Sequence, residues 1–123
     1  MRALVVEDSS TIRMILCQYL RKLNLEVVEA SDGREALARL KEMEPPDLVL
    51  VDWNMPVMSG IDFIRAVREL RTYDHLPLVM VTTNSEADYL SEAMEAGANE
   101  YIQKPCTFEA LREKLDLLDL VKT

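Results

Sequence analysis

The sequence predicts a doubly wound α/β fold: a five-stranded parallel sheet in the order 2-1-3-4-5, with five helices covering its two faces. Three observations lead there. Short apolar, β-branched runs recur along the chain. Segments with apolar residues at three-and-four spacing separate them. The middle runs are apolar throughout instead of alternating, as strands buried on both faces are. Strands that alternate with helices imply right-handed crossovers and a parallel sheet. With 123 residues, 49% of them hydrophobic, the chain can bury one core, so residues 1–123 are expected to form one domain.

The five strands are expected at "ALVV" from residue 3, "LEVVEA" from 25, "DLVLVD" from 47, "PLVMVTT" from 77 and "EYIQ" from 100. The first helix shows one apolar face in Ile12, Ile15, Leu16, Tyr19, Leu20 and Leu23. The other four are expected to start near Gly33, Gly60, Glu86 and Phe108. Ser59 with Asp62, Ser85 with Asp88, and Asp32 with Glu35 have the spacing at which a cap side chain meets the third residue of a helix. Asn24 and Gly97 suit left-handed helix ends, and Pro45 with Pro46 prevents the second helix from continuing. Met14, Met43, Met80 and Met94 fall within these elements and are expected to pack, while His75 in "RTYDHLP" is expected to be a solvated loop residue.

Charge narrows the function. Acidic residues number 22 against 14 basic ones, a net charge of -8, so the surface should repel phosphate backbones and direct nucleic-acid binding is not expected. No apolar stretch approaches the roughly 20 residues that cross a bilayer, and the amino terminus lacks a signal peptide's pattern, so a cytoplasmic monomer without membrane insertion is the expectation. Cys17 and Cys106 are far apart in sequence and form no metal-binding pair.

In this strand order, ligands bind at the carboxyl ends of strands 1 and 3, where the winding reverses. Strand 1 ends at Glu7 and Asp8, strand 3 at Asp52, strand 4 at Thr82 and Thr83, and strand 5 at Lys104. Clustered carboxylates repel and must take up protons or gain a cation. All the candidate ligands are oxygens, which favours Mg²⁺ over zinc. Asp8 and Asp52 would bind it directly, Glu7 through water, and the backbone carbonyl of Asn54 would complete the set. Magnesium held by a few carboxylates suits phosphoryl chemistry: Asp52 can attack phosphorus in line, with Lys104 and the Thr82 hydroxyl meeting the equatorial oxygens.

Glu7-Asp8, Asp52 within "DWNMP", Thr82 within "MVTT" and Lys104-Pro105 together resemble the receiver domains of two-component response regulators, over the whole chain. The resemblance implies the flavodoxin-like fold, phosphotransfer from a partner histidine kinase to Asp52, and a change of shape read by a downstream protein. "DWNMP" and Tyr101 are especially similar to the CheY-like single-domain regulators of chemotaxis. That likeness implies that Thr82 and Tyr101 are switch residues, with the ring moving inward as the hydroxyl is drawn to the phosphoryl group. The output face would be helix 4, strand 5 and helix 5, where Tyr89, Leu90, Met94, Phe108 and Lys114 lie.

Some positions depart from the family pattern. Glu7 stands where many members have aspartate, and Thr83 where a smaller residue is frequent. Thr83, Asn54 and Asn84 occupy positions that tune the lifetime of the phosphorylated state in this family. The expected activity is that of a signalling phosphoacceptor that catalyses only its own phosphorylation and dephosphorylation, and two alternatives compete with it. A Mg-dependent phosphatase with an aspartyl nucleophile would want an early Asp-x-Asp and a substrate cap. A flavodoxin-like nucleotide binder would want a glycine-rich cradle after strand 1, where Glu7 and Asp8 stand instead. A receiver forming part of a larger regulator would show the same residues.

Overall fold

The computed structural model describes residues 1–53, 55–83 and 87–120. Five parallel strands, β1 (Arg2–Val6), β2 (Glu26–Ala30), β3 (Leu48–Asp52), β4 (Leu78–Thr82) and β5 (Glu100–Gln103), form one sheet in the order β2-β1-β3-β4-β5. Five helices connect and follow them: α1 (Ser10–Lys22), α2 (Gly33–Glu42), α3 (Gly60–Arg68), α4 (Ala87–Ala96) and α5 (Phe108–Leu117). The predicted fold class and strand order are those observed. A single 3-10 turn at Arg71–Tyr73, before β4, was not anticipated from the sequence.

Strand alternation divides the core. Leu4, Val6, Val49, Val51, Leu78 and Met80 face α2, α3 and α4, where Ala36, Leu40, Phe63, Ile64, Val67 and Ala93 meet them. The intervening residues Ala3, Val5, Leu48, Leu50, Val79, Val81 and Ile102 face Leu16, Cys17 and Leu20 of α1 and Leu111 and Leu115 of α5. Both faces of β3 and β4 are covered, which is why their sequences read as unbroken apolar runs.

The local signals act as their chemistry suggests. Asp32 accepts from the Glu35 N–H at 2.8 Å and Ser59 from the Asp62 N–H at 3.2 Å. Ser9 and Thr107 cap α1 and α5 in the same way, at 3.3 and 3.1 Å. The predicted Ser85–Asp88 cap and a helix start at Glu86 involve residues outside those described. Asn24 closes α1 at φ 68°. Gly97 closes α4 at φ 121°, where a Cβ would stand 2.5 Å from Cγ of Arg68.

Two methionine expectations fail. Met14 is 54% exposed and Met94 45%. Met14 lies two residues before the buried Leu16, about 200° around the helix, and Met94 lies one step, about 100°, past the buried Ala93. Met80 packs in the core, and His75 is exposed.

Candidate functional site

The carboxyl ends of β1 and β3 are neighbours at the point where the winding reverses, and the residues just beyond them form the site. Asp52 is the last residue of β3, paired with Val81 of β4 one step beyond the last β1 pairing at Val51, and only 6% exposed. Its position leaves little freedom. The next residue, Trp53, donates its N–H to Val81 O at 3.1 Å and accepts from the Gly60 N–H at 3.0 Å. A Cβ on Gly60 would fall 2.2 Å from the Asp52 carbonyl oxygen, so only glycine lets α3 start this close to the strand.

Glu7 follows β1 and is 1% exposed, while Asp8 beside it is exposed. One carboxylate oxygen from each of Glu7, Asp8 and Asp52 lies within 4.8 Å of the others. Lys104, the residue after β5, reaches into the cluster: its Nζ is 2.8 Å from Asp52 Oδ1 and 2.9 Å from Glu7 Oε1. Its backbone N–H donates to Thr82 O at 2.7 Å, and the Lys104–Pro105 peptide is cis. The Ser9 N–H donates to the second Glu7 oxygen at 3.2 Å, and Arg13 donates to the Glu7 carbonyl at 2.7 Å.

The charges perturb one another. Burial pushes the Glu7 carboxyl up to about 7; the hydrogen bond from Lys104 opposes that, while Asp8 and Asp52 add to the rise. Burial alone would lower the Lys104 ammonium, but hydrogen bonds and charges from Asp52 and Glu7 outweigh it and hold Lys104 above its ordinary value. The unmodified site therefore contains an internal cation shared by two buried acids. An all-oxygen donor set from Glu7, Asp8 and Asp52, with carboxylates close enough to converge, fits a hard divalent ion.

Thr82 is buried at the end of β4. Strand alternation puts it on the same face of the sheet as Met80, whose partner across the ladder is Tyr101. Tyr101 is half-buried, with Lys114 Nζ 5.3 Å from its ring centre and Lys114 paired to Glu100 at 3.1 Å. Thr83 is exposed and lines a groove of about 450 Å³ that runs along Ile12, Ile15, Leu16 and Tyr19 to Cys106, beside Lys104. Asn54 and Asn84, expected at the metal and as lifetime-tuning positions, lie outside the described residues.

Phe108 requires a correction. It was expected on the face shared by helix 4, strand 5 and helix 5. Its ring instead meets Tyr19 of α1 edge-on at 5.7 Å and lies under Lys22 at 4.7 Å, so a ring contact and a cation over its face hold it against α1. Three features escaped sequence reasoning: the pairing of Glu7 with Lys104, 97 positions away, a ring contact between Trp53 and Tyr89, and a left-handed Val57 at φ 72°. The first two had no local signal. Val57 had a weak one, since it sits in the Met-Pro turn before Ser59.

A model of the response regulator receiver domain matches residues 3–116. The chemotaxis protein CheY of Pseudomonas aeruginosa is 44% identical over 117 residues, 94% of each chain. Among solved structures, the chemotaxis response regulator CheY4 of Vibrio cholerae superposes with a TM-score of 0.90 at 36% identity, over 95% of this chain and 97% of that one. The receiver domain of sensor histidine kinase PA1611 from Pseudomonas aeruginosa, solved with a magnesium ion coordinated in its active site cleft, does so at 0.85 and 28% identity, over 94% of each chain.

Proposed function

The chain belongs to the response regulator receiver family, a phosphoacceptor in two-component signalling, and from that premise we propose that Asp52 is the residue that accepts the phosphoryl group from a histidine kinase. One observation carries this assignment: a buried carboxylate fixed at the end of the central strand, among two further acids and a lysine. An Asp52 oxygen attacks phosphorus as the donor's nitrogen–phosphorus bond breaks, leaving an acyl phosphate on the strand end. The rigid main chain at Trp53 and Gly60 keeps that oxygen in place. Lys104 turns its ammonium from the Asp52 carboxylate to a phosphoryl oxygen, and the Thr82 hydroxyl meets another.

Asp8 and Asp52 would hold Mg²⁺, with Glu7 acting through water and the Asn54 carbonyl as a further ligand. When bound, the ion supplies charge neutralisation that lets an anionic donor approach three acids. Movement of Thr82 frees space on the face it shares with Tyr101, and the face of α4, β5 and α5 then changes for a downstream protein. Exposed Tyr89 and Met94 supply apolar anchors there, and the surrounding acids favour a basic complement. No helix among the described residues is long and apolar enough to cross a membrane; action as a cytoplasmic monomer is part of this proposal. A role in chemotaxis is proposed from the likeness to the CheY proteins.

Acetyl phosphate or phosphoramidate with Mg²⁺ should add one phosphoryl group by intact-mass measurement. Asp52→Asn should abolish it, since an amide is not the nucleophile. Undiminished labelling of that variant sinks the assignment.

A further inference from the structure

Among the described residues one ring–ring contact touches the acceptor site. The indole of Trp53, directly after Asp52, meets the ring of Tyr89 edge to face, with centroids 4.7 Å apart and planes at 89°. Trp53 has a fixed base, bonded to Val81 O on one side and to the Gly60 N–H on the other. Tyr89 stands in the first turn of α4 and is 37% exposed. The other ties described for α4 lie further along it: Glu92 pairs with Arg65 at 3.4 Å, Ala93 enters the core, and the Gly97 carbonyl accepts from Arg68 at 3.0 Å. The aromatic pair therefore joins the end of α4 nearest the acceptor to the residue beside the acceptor.

We propose that Tyr89 is a positioning residue that latches the first turn of α4 to Trp53 in the unmodified state, giving the acceptor a second line of coupling to α4 besides Thr82 and Tyr101. This rests on Asp52 as the acceptor. An edge-to-face pair is sensitive to offsets of about an ångström, and one partner is bolted to the sheet while the other rides on a surface helix. A contact made in the unmodified arrangement holds α4 there by whatever it loses when α4 moves. Such a pair biases the balance by roughly 2- to 10-fold. Removing the ring should let α4 sample its other position before any phosphoryl group arrives and, by linkage, ease phosphorylation.

The test compares wild type, Tyr89→Ala and Tyr89→Phe by amide hydrogen exchange and Trp53 emission, with Mg²⁺ alone and with Mg²⁺ and beryllofluoride, alongside labelling by acetyl phosphate. In wild type, beryllofluoride should change both the emission and the exchange of α4 amides. In Tyr89→Ala the α4 amides should exchange about threefold faster before any addition, and should respond to beryllofluoride less than half as strongly. Labelling should be faster by roughly 2- to 10-fold. Tyr89→Phe keeps the ring and should match wild type.

A residue that merely stabilised the helix would speed α4 exchange equally with and without beryllofluoride and leave the labelling rate unchanged; that result overturns the latch. So does a Tyr89→Ala protein indistinguishable from wild type, or a Tyr89→Phe protein that behaves like Tyr89→Ala. A wild-type protein that takes up neither beryllofluoride nor a phosphoryl group removes the acceptor assignment itself. Normal labelling of wild type with a Tyr89→Ala protein that is labelled no faster removes only the latch.

Discussion

The two ends of the sheet each hold a buried or half-buried cation, and they treat it in opposite ways. At the carboxyl end, Lys104 is shared between Asp52 and Glu7, two side chains that can change charge or partner. At the other end, Arg68 leaves α3 and spends its planar fork on the Gly97, Tyr73 and Leu76 carbonyls and on Asn99 Oδ1, the last two at 2.8 and 2.9 Å. Burial lowers the Arg68 guanidinium somewhat, and nearby Asp74 offsets part of that. Backbone carbonyls cannot titrate or leave, so Arg68 is a fixed clamp joining the end of α3, the turn before β4 and the end of α4. A compact ammonium between carboxylates is exchangeable. A charge satisfied by main chain serves the fold, whereas a charge satisfied by other charges can serve a switch.

The largest effect that would sharpen this contrast is on stability. Arg68→Ala should destabilise the protein by about 3 kcal/mol, because several acceptors lose their donor at once. Urea unfolding measures that loss, and acetyl phosphate labelling of the variant, below its melting point, should stay within about twofold of wild type. A comparable collapse of labelling would break the contrast, since the clamp would then belong to the site.

The second effect is in pH. Glu7 in the fold sits at about 7, above the ordinary 4.5, so its contribution is fully present below 4.5 and is lost as pH rises through 7. Metal-free protein should therefore lose on the order of 2 kcal/mol of stability across that window from this group. Glu7→Gln, which stays neutral, should flatten the slope. A slope that survives in Glu7→Gln would assign it to another group.

The smallest effect concerns strain at the same end. Val57 is a β-branched residue at φ 72°, held by the Met58 N–H donating to Pro56 O at 2.7 Å. Val57→Gly should relieve that strain and raise stability by about 1 kcal/mol, read as a shift of the urea midpoint at constant slope. An unchanged or lower midpoint would mean that the turn is not strained and that the two ends differ in charge alone.

What the sequence by itself determined was whatever local chemistry repeats. Unbroken apolar runs at "DLVLVD" and "PLVMVTT" marked strands covered on both faces, and Asp32 and Ser59 marked helix starts because a cap bonds only a few residues ahead. With the alternation of strands and helices fixed, the winding rules brought Glu7, Asp8, Asp52, Thr82 and Lys104 to one edge before any coordinate was known. Only the tertiary structure decided how those groups pair and which way the side chains between helices lean. Lys104 meeting Glu7, Trp53 meeting Tyr89, Phe108 turning toward Tyr19 and Arg68 reaching the Gly97 carbonyl each join elements far apart in sequence. Helical and strand periodicity report which face of an element is buried. They carry no information about which residue of another element it finds there, because that depends on helix placement and on the space left by every neighbour.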